Sequence, residues 1–281
     1  MGLRINTNTA SLNAQRNLYG TKIALDKSLE KLSSGYRINR AGDDAAGLAI
    51  SENLRGQIRG LKVAWRNAQD GVSMIQVAEG GMQEIANILV RLRELGVQAA
   101  SDTIGPVERQ LLDVEYQQLL DEVDRIADST EFNGTPLLSG TGAILDFQVG
   151  TRNDPNIDRL SFDASKADAN SAALGVNLTS VSDKASAQNS LAAIDEAIVA
   201  VSAMRADFGA MQNRLMSTIN NLAISLENMA AANSRIRDVD VAEETANLTK
   251  QNILLQAGTS VLAQANQTAK ASLQLLNSTF S

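Results

Sequence analysis

Apolar residues recur at every seventh position along the last hundred residues of the chain. Ile194, Val201, Phe208, Leu215, Leu222, Met229 and Ile236 form one unbroken row, and Val241, Leu248, Leu255, Leu262, Ala269 and Leu276 form a second. Such rows hold one face of a helix against a partner over many turns, so the pattern predicts long helices on either side of a boundary at about residue 241. Companion positions of the second row are partly polar: Asn252, Thr259 and Asn266, then Leu273 and Phe280. A seam that is half wet is expected to bury fully only on assembly. Between the rows, Asp240 with Glu243 three residues on resembles a capping arrangement that starts a new helix.

The amino half mirrors this pattern. Leu18, Leu25 and Leu32, with Leu29 beside them, stripe a first helix that breaks at Ser33-Ser34-Gly35-Tyr36. After an irregular stretch through Asp43-Asp44, steps of four and three carry Leu54, Ile58, Leu61, Trp65, Ala68, Val72 and Ile75 along a long helix. The stripe continues through Met82, Ile85, Leu89 and Leu92 to about Ala99. Gly80-Gly81 is expected to interrupt it, at roughly 1 kcal/mol per glycine relative to Ala. A third helix, about 106–128, is striped by Leu112, Leu119 and Ile126.

Only residues 131–165 look like strand. Segments 143–149 and 159–162 alternate apolar and polar residues and are joined by an Asn-, Asp- and Pro-containing loop, which predicts one hairpin, too small to stand without a helical cover. All three prolines (Pro106, Pro136, Pro155) lie in mid-chain, leaving both flanks free of this helix breaker. Residues 166–186 read as loop with weak helical leanings. The expected fold class is mainly α: a long antiparallel helical bundle or coiled coil with one small β-hairpin region. Termini normally fray, yet here they are strongly striped, with apolar surface that needs a partner.

Composition narrows the function. Phe, Tyr and Trp together number nine in 281 residues, which suits thin bundles better than a thick aromatic core. With neither Cys nor His, disulfides, thiolate or imidazole zinc sites and Ser–His or Cys–His catalysis are excluded. We expect no enzyme and no cofactor. The net charge of −7 argues against nucleic acid. Residues 1–42 carry seven basic and two acidic side chains, so +5 against −12 for the remainder. The start of the chain turns polar within eight residues. This is not the pattern of a secretory signal, so a protein of this kind that leaves the cell would use a route without a cleaved signal peptide, and no run of about eighteen apolar residues predicts membrane insertion.

Two segments carry a specific likeness. Residues 29–53 (LEKLSSGYRINRAGDDAAGLAISEN) and 235–267 (RIRDVDVAEETANLTKQNILLQAGTSVLAQANQ) resemble bacterial flagellin. The likeness covers most of 1–165 and 187–281. It implies a self-assembling homopolymer, the extracellular flagellar filament that acts as the propeller for motility. It also implies an inner domain, D0, of paired chain ends (1–42 and 241–281), with a D1 bundle and hairpin at 43–240. With about twenty loop-like residues at 166–186, the chain resembles a minimal member without outer domains. The D0 stripes Leu18, Leu25, Leu29, Leu32, Leu248, Leu255, Leu262, Leu273 and Leu276 would carry polymerisation. By resemblance, further partners are a flagellar export chaperone, filament cap and hook–filament junction proteins.

A finer resemblance lies at 89–98 and Glu115. In flagellins bound by the vertebrate innate immune receptor TLR5, the counterparts of Arg91, Leu95 and Glu115 contribute to the receptor-binding surface, which would also serve contacts between subunits. Val90 and Gly96 depart from that pattern. Trp65 departs too, since the family commonly has a small polar residue there. Its stripe position suggests core packing, with a subunit-interface anchor as the alternative. Asp43-Asp44, Asp238 and Asp240 read as caps rather than metal ligands, and the basic residues of the first helix as a solvated face that meets acidic surface. A hook–filament junction protein and a non-flagellar coiled-coil adaptor are the competing readings.

Overall fold

The computed structural model describes residues 7–279; the side chains of Ala269 and of 271–279 lie outside the described set. Its helices are α1 (Thr9–Ser34), α2 (Ala45–Ala99), α3 (Pro106–Ser129), α4 (Lys184–Arg237) and α5 (Val241–Thr279). The strands are β1 (Glu131–Phe132), β2 (Thr135–Pro136), β3 (Ile144–Gln148) and β4 (Arg159–Asp163), and a short 3-10 turn spans Ala164–Lys166. They form two compact units. One comprises the described parts of Met1–Gly56 and Met229–Ser281; the other is Gln57–Asn228.

In the first unit, α1 and α5 run antiparallel. Asn8 caps α1 by accepting the Ser11 amide at 3.0 Å, and Gly35 ends it at φ +74°, a left-handed turn that L side chains resist, with its N–H on the Lys31 carbonyl. Asp44 starts α2 by accepting the Gly47 amide at 2.8 Å. Asp240 starts α5 by accepting the amides of Ala242 and Glu243 at 2.9 and 3.2 Å.

The second unit holds a continuous apolar core. Met82, Ile85, Leu89, Leu92 and Leu95 from α2 cluster with Tyr116, Leu120 and Val123 from α3 and with Ile194, Val201, Phe208 and Leu215 from α4. Burying each large aliphatic side chain contributes roughly 1.5–3 kcal/mol. Leu137, Leu138, Phe162, Ala164 and Val176 join the same cluster from the segment between α3 and α4. Asp113 and Asp124 of α3 hold the stretch before α4: Asp124 accepts the Ser171 amide and hydroxyl, and Asp113 the Val181 amide, each at 2.7 Å.

Two expectations are corrected. The glycine pair does not interrupt α2, which runs unbroken from Ala45 to Ala99. Gly81 faces Thr130 and Leu138, where a Cβ would sit 2.7 and 2.9 Å from their side-chain atoms, so close packing explains its presence. The β region holds two antiparallel hairpins rather than one. Beside β3–β4, paired from Ile144↔Asp163 to Gln148↔Arg159, lies β1–β2, closed by Asn133 (φ +51°) and Gly134 (φ +76°). Asn-Gly suits a two-residue turn in which both residues need positive φ.

Candidate assembly surface

The seam between the terminal helices is built from half-buried leucines and small or polar residues. On α1 the inward positions are Ser11, Ala14, Leu18, Thr21, Leu25, Ser28 and Leu32, at alternating steps of three and four. On α5 they are Glu244, Leu248, Gln251, Leu255, Gly258, Leu262 and Ala265. The leucine row on α5 thus faces inward, but its companions are not those expected. Asn252, Thr259 and Asn266 are exposed; the companions lie one residue earlier, because a seam that alternates three and four turns Gln251, Gly258 and Ala265 toward α1. Gly258 leaves the hole for Leu18, whose Cδ2 would lie 2.8 Å from a Cβ placed there.

Polar contacts set the register at each end of this seam. Asn8 donates to the Ala265 carbonyl at 2.9 Å, and the Ser11 hydroxyl donates to Asn266 at 3.0 Å. At the other end Glu244, buried to 8% exposure, accepts from the Ser28 hydroxyl at 2.5 Å and from the Lys31 ammonium at 3.3 Å. A carboxylate desolvated in an apolar seam is tolerated only when so paired, and a slip of one turn would leave it unpaired.

Beyond that register, the connectors form an elbow. Arg37 N–H donates to the Arg237 carbonyl at 2.7 Å and Val239 N–H to the Gly35 carbonyl at 3.0 Å. Arg237 lies 4.8 Å over the Tyr36 ring and pairs with Glu52, whose pKa it lowers. Asp43 accepts the Asn39 and Arg40 amides and pairs with Lys27 at 2.7 Å; chiefly the Lys27 bond lowers its pKa to about 2. Asp43 therefore organises the turn, while Asp44 is the cap.

The outward faces of both helices stay apolar in places. Leu12, Tyr19, Ile23 and Leu29 are exposed on α1, as are Val241, Ile253, Leu254 and Val261 on α5. Leu29 therefore belongs to the outer face, whereas Leu18, Leu25, Leu32, Leu248, Leu255 and Leu262 line the inner seam. The side chains of Leu273 and Leu276 lie outside the described residues, as does Phe280.

On the second unit, Arg91 donates to Glu115 of α3 at 2.8 Å and to Glu94 at 3.0 Å; Glu115 is the main reason its pKa is raised. Arg93 pairs with Asp195 of α4 at 2.7 Å. Leu95, expected on this surface, is a correction: it is 1% exposed and continues the inward stripe of Ile85, Leu89 and Leu92 into the core. Gly96 also faces inward, where a Cβ would lie 3.0 Å from Leu191. The presented surface is Val90, Arg91, Glu94, Val97, Leu111, Val114 and Glu115, all exposed.

Trp65 is half-buried and lines an open groove rather than sitting wholly in the core. Among the described residues no group of three Asp or Glu side chains is placed to hold a metal ion, and no helix is long and apolar enough to cross a membrane. Sequence reading missed the Ser28–Lys31–Glu244 layer, the Gly258 hole and the elbow. The first two lie three or four residues from seam leucines, a spacing that does not say which neighbour turns inward; the elbow joins residues about two hundred apart and left no local signal.

Comparison with known proteins supplies the context. The family model for the bacterial flagellin N-terminal helical region matches residues 5–143, and that for the C-terminal helical region matches 191–276. The chain is 48% identical to a flagellin of Halalkalibacterium halodurans over 97% of its own length and 99% of that protein's. It is 47% identical to a Bacillus subtilis flagellin, with 98% and 100% covered, and 44% identical to a flagellar filament 33 kDa core protein of Treponema phagedenis, with 97% and 99% covered. Among solved structures it is similar to a Bacillus cereus flagellin, at 35% identity and TM-score 0.50, covering 60% of this chain and 94% of that one.

Proposed function

This chain belongs to the bacterial flagellin family, and from that premise we propose how it builds a filament. As a structural, non-enzymatic subunit of the flagellar filament, it acts outside the cell. Residues 1–42 and 241–281 serve as D0, the polymerisation layer, and 43–240 as D1. The observation that carries this reading is the two-sided character of α1 and α5. Leu18, Leu25, Leu32, Leu248, Leu255 and Leu262 close the seam within one subunit, while Leu29, Tyr19, Ile253 and Val261 remain exposed for other copies. Leu276 extends the α5 row at the same spacing of seven, and Leu273 extends the row of Asn252, Thr259 and Asn266 beside it. A polar, aromatic-poor seam holds the pair weakly until docking covers its outer face.

Hydrogen exchange tests this directly. Residues 9–34 and 241–268 exchange fast in the monomer and become protected in the polymer; equal protection in both states refutes the scheme. Removing 245–281 abolishes polymerisation and leaves the Gln57–Asn228 unit folded.

The same outer face of α5 suits transient cover by a flagellar export chaperone before assembly, and a D0 of this design suits docking onto filament cap and hook–filament junction proteins. Arg91 and Glu115, held together and exposed, are the candidate surface for TLR5 and for neighbouring subunits; Leu95, buried in the core, is not part of it. Loss of receptor signalling on Arg91→Ala, with the monomer still folded, is the result expected.

A further inference from the structure

One ridge of α2 carries chemistry that the seam does not use. Arg59, Lys62 and Arg66 follow one another at steps of three and four, which places them on one face of the helix. All three are exposed, and none has an ion-pair partner among the described residues. Trp65 stands within this ridge. With Lys62 and Arg66 on its own helix and Ala223 and Leu226 on α4, it lines an open groove of about 480 Å³. The core does not need the indole for closure: Leu61, Ala64 and Ala68 already complete the buried stripe at this level, at 8%, 3% and 0% exposure. An indole left half in water beside unpaired cations calls for an apolar occupant flanked by carboxylates.

The chain itself offers such a surface. Helix α3 holds seven acidic and two basic side chains. It also exposes Val107, Leu111 and Val114 at steps of four and three, each more than half accessible. Its Glu108 has no ion-pair partner among the described residues. Ridge and stripe are complementary in charge and in polarity.

We propose that the Trp65 groove of one subunit seats the outward face of α3 of a neighbouring copy. Leu111 packs against the indole, and Arg59, Lys62 and Arg66 face the carboxylates of α3, Glu108 foremost. This rests on the filament reading above and names one of its lateral or axial contacts. Charges on the rim steer and register the contact, while the aromatic anchor supplies most of the hold.

Because the chain has one Trp and no Cys, the site can be read without background. On polymerisation, Trp65 emission shifts to the blue and its quenching by acrylamide falls severalfold. Trp65→Ala raises the critical concentration about tenfold or more, the range for loss of an anchor residue, without changing monomer melting. Lys62→Cys with Glu108→Cys gives a disulfide-linked ladder when filaments are oxidised, and neither single variant does. Arg66→Glu weakens assembly, and adding Glu108→Lys restores it. Filaments that form with Trp65 emission and quenching unchanged, or without the ladder, overturn the groove proposal and leave the filament reading standing. A blue shift of the monomer on phosphatidylglycerol vesicles, with none on polymerisation, overturns it in favour of a lipid surface. Failure to form filaments under any polymerising condition removes the parent reading as well.

Discussion

Two neighbouring glycines in α2 offer a sharp test of how closely the second unit is packed. Replacing either Gly80 or Gly81 with Ala removes the same helix-propensity penalty, about 1 kcal/mol. Their surroundings differ. A Cβ at Gly80 meets nothing within 4 Å, so Gly80→Ala should stabilise the unit by up to about 1 kcal/mol. At Gly81 it would lie 2.7 Å from Thr130 Oγ1, 2.9 Å from Leu138 Cδ1 and 3.2 Å from Thr130 Cγ2. Neither neighbour yields easily. Thr130 is anchored by a 2.6 Å bond from its hydroxyl to the Ile126 carbonyl, and Leu138 is fully buried. Overpacking of this kind costs about 1–3 kcal/mol, which equals or exceeds the propensity gain. Gly81→Ala should therefore be neutral to about 2 kcal/mol destabilising, and the two variants should differ by about 1–3 kcal/mol. Urea unfolding of the monomer, followed by far-UV circular dichroism at constant slope, measures that difference. Equal stabilisation by both substitutions would refute the close approach of α2 to the Thr130–Leu138 turn.

Phe208 is 1% exposed and packs on Phe162 at a ring separation of 5.4 Å, so Phe208→Ala should cost about 3–5 kcal/mol in the same unfolding assay. Val199→Ala, on an exposed position of the same helix, should stay within about 0.5 kcal/mol; a comparable loss there would contradict the assigned facing of α4. Glu244→Ala leaves the Ser28 hydroxyl and Lys31 ammonium without their carboxylate, a loss of about 1–3 kcal/mol that should raise the critical concentration for polymerisation about tenfold. An unchanged critical concentration would remove the register role given to that layer. The Asp43 carboxylate, lowered from 3.8 to about 2, should titrate with its midpoint near 2 by carboxyl NMR. Since its folded pKa is depressed, its stabilising contribution is present above pH 3.8 and is lost as pH falls toward about 2. Asp43→Asn should flatten that part of the acid profile, and a midpoint near 4 would show the Lys27 contact to be absent in solution.

Much of the architecture is legible in the chain because helical faces are local. The row from Ile194 to Leu222 is buried, as its spacing required, and then becomes half-buried at Met229 and Ile236. The stripe from Met82 to Leu92 is buried throughout. Caps at Asp44 and Asp240 and the left-handed stop at Gly35 are also local, since each involves a side chain or turn within a few residues. The short β1–β2 hairpin was signalled by Asn133-Gly134 but overshadowed by the longer alternating pair beside it.

What periodicity could not determine was which residues next to a seam leucine turn inward, because positions three and four away share almost the same face. That choice makes Gly258 and Gln251 companions and leaves Asn252 and Thr259 in solvent, and the same kind of choice puts Leu95 in the core rather than on the surface with Arg91 and Glu115. Nor could local pattern reveal the elbow, where Arg237 meets Tyr36 and Glu52, or the layer that joins Ser28 to Glu244. Sequence by itself determined that both ends are long striped helices with apolar surface to spare. Only the tertiary structure decided which stripe closes the seam within one subunit and which remains for the next copy, because that division depends on the antiparallel register of α1 and α5, fixed by contacts more than two hundred residues apart.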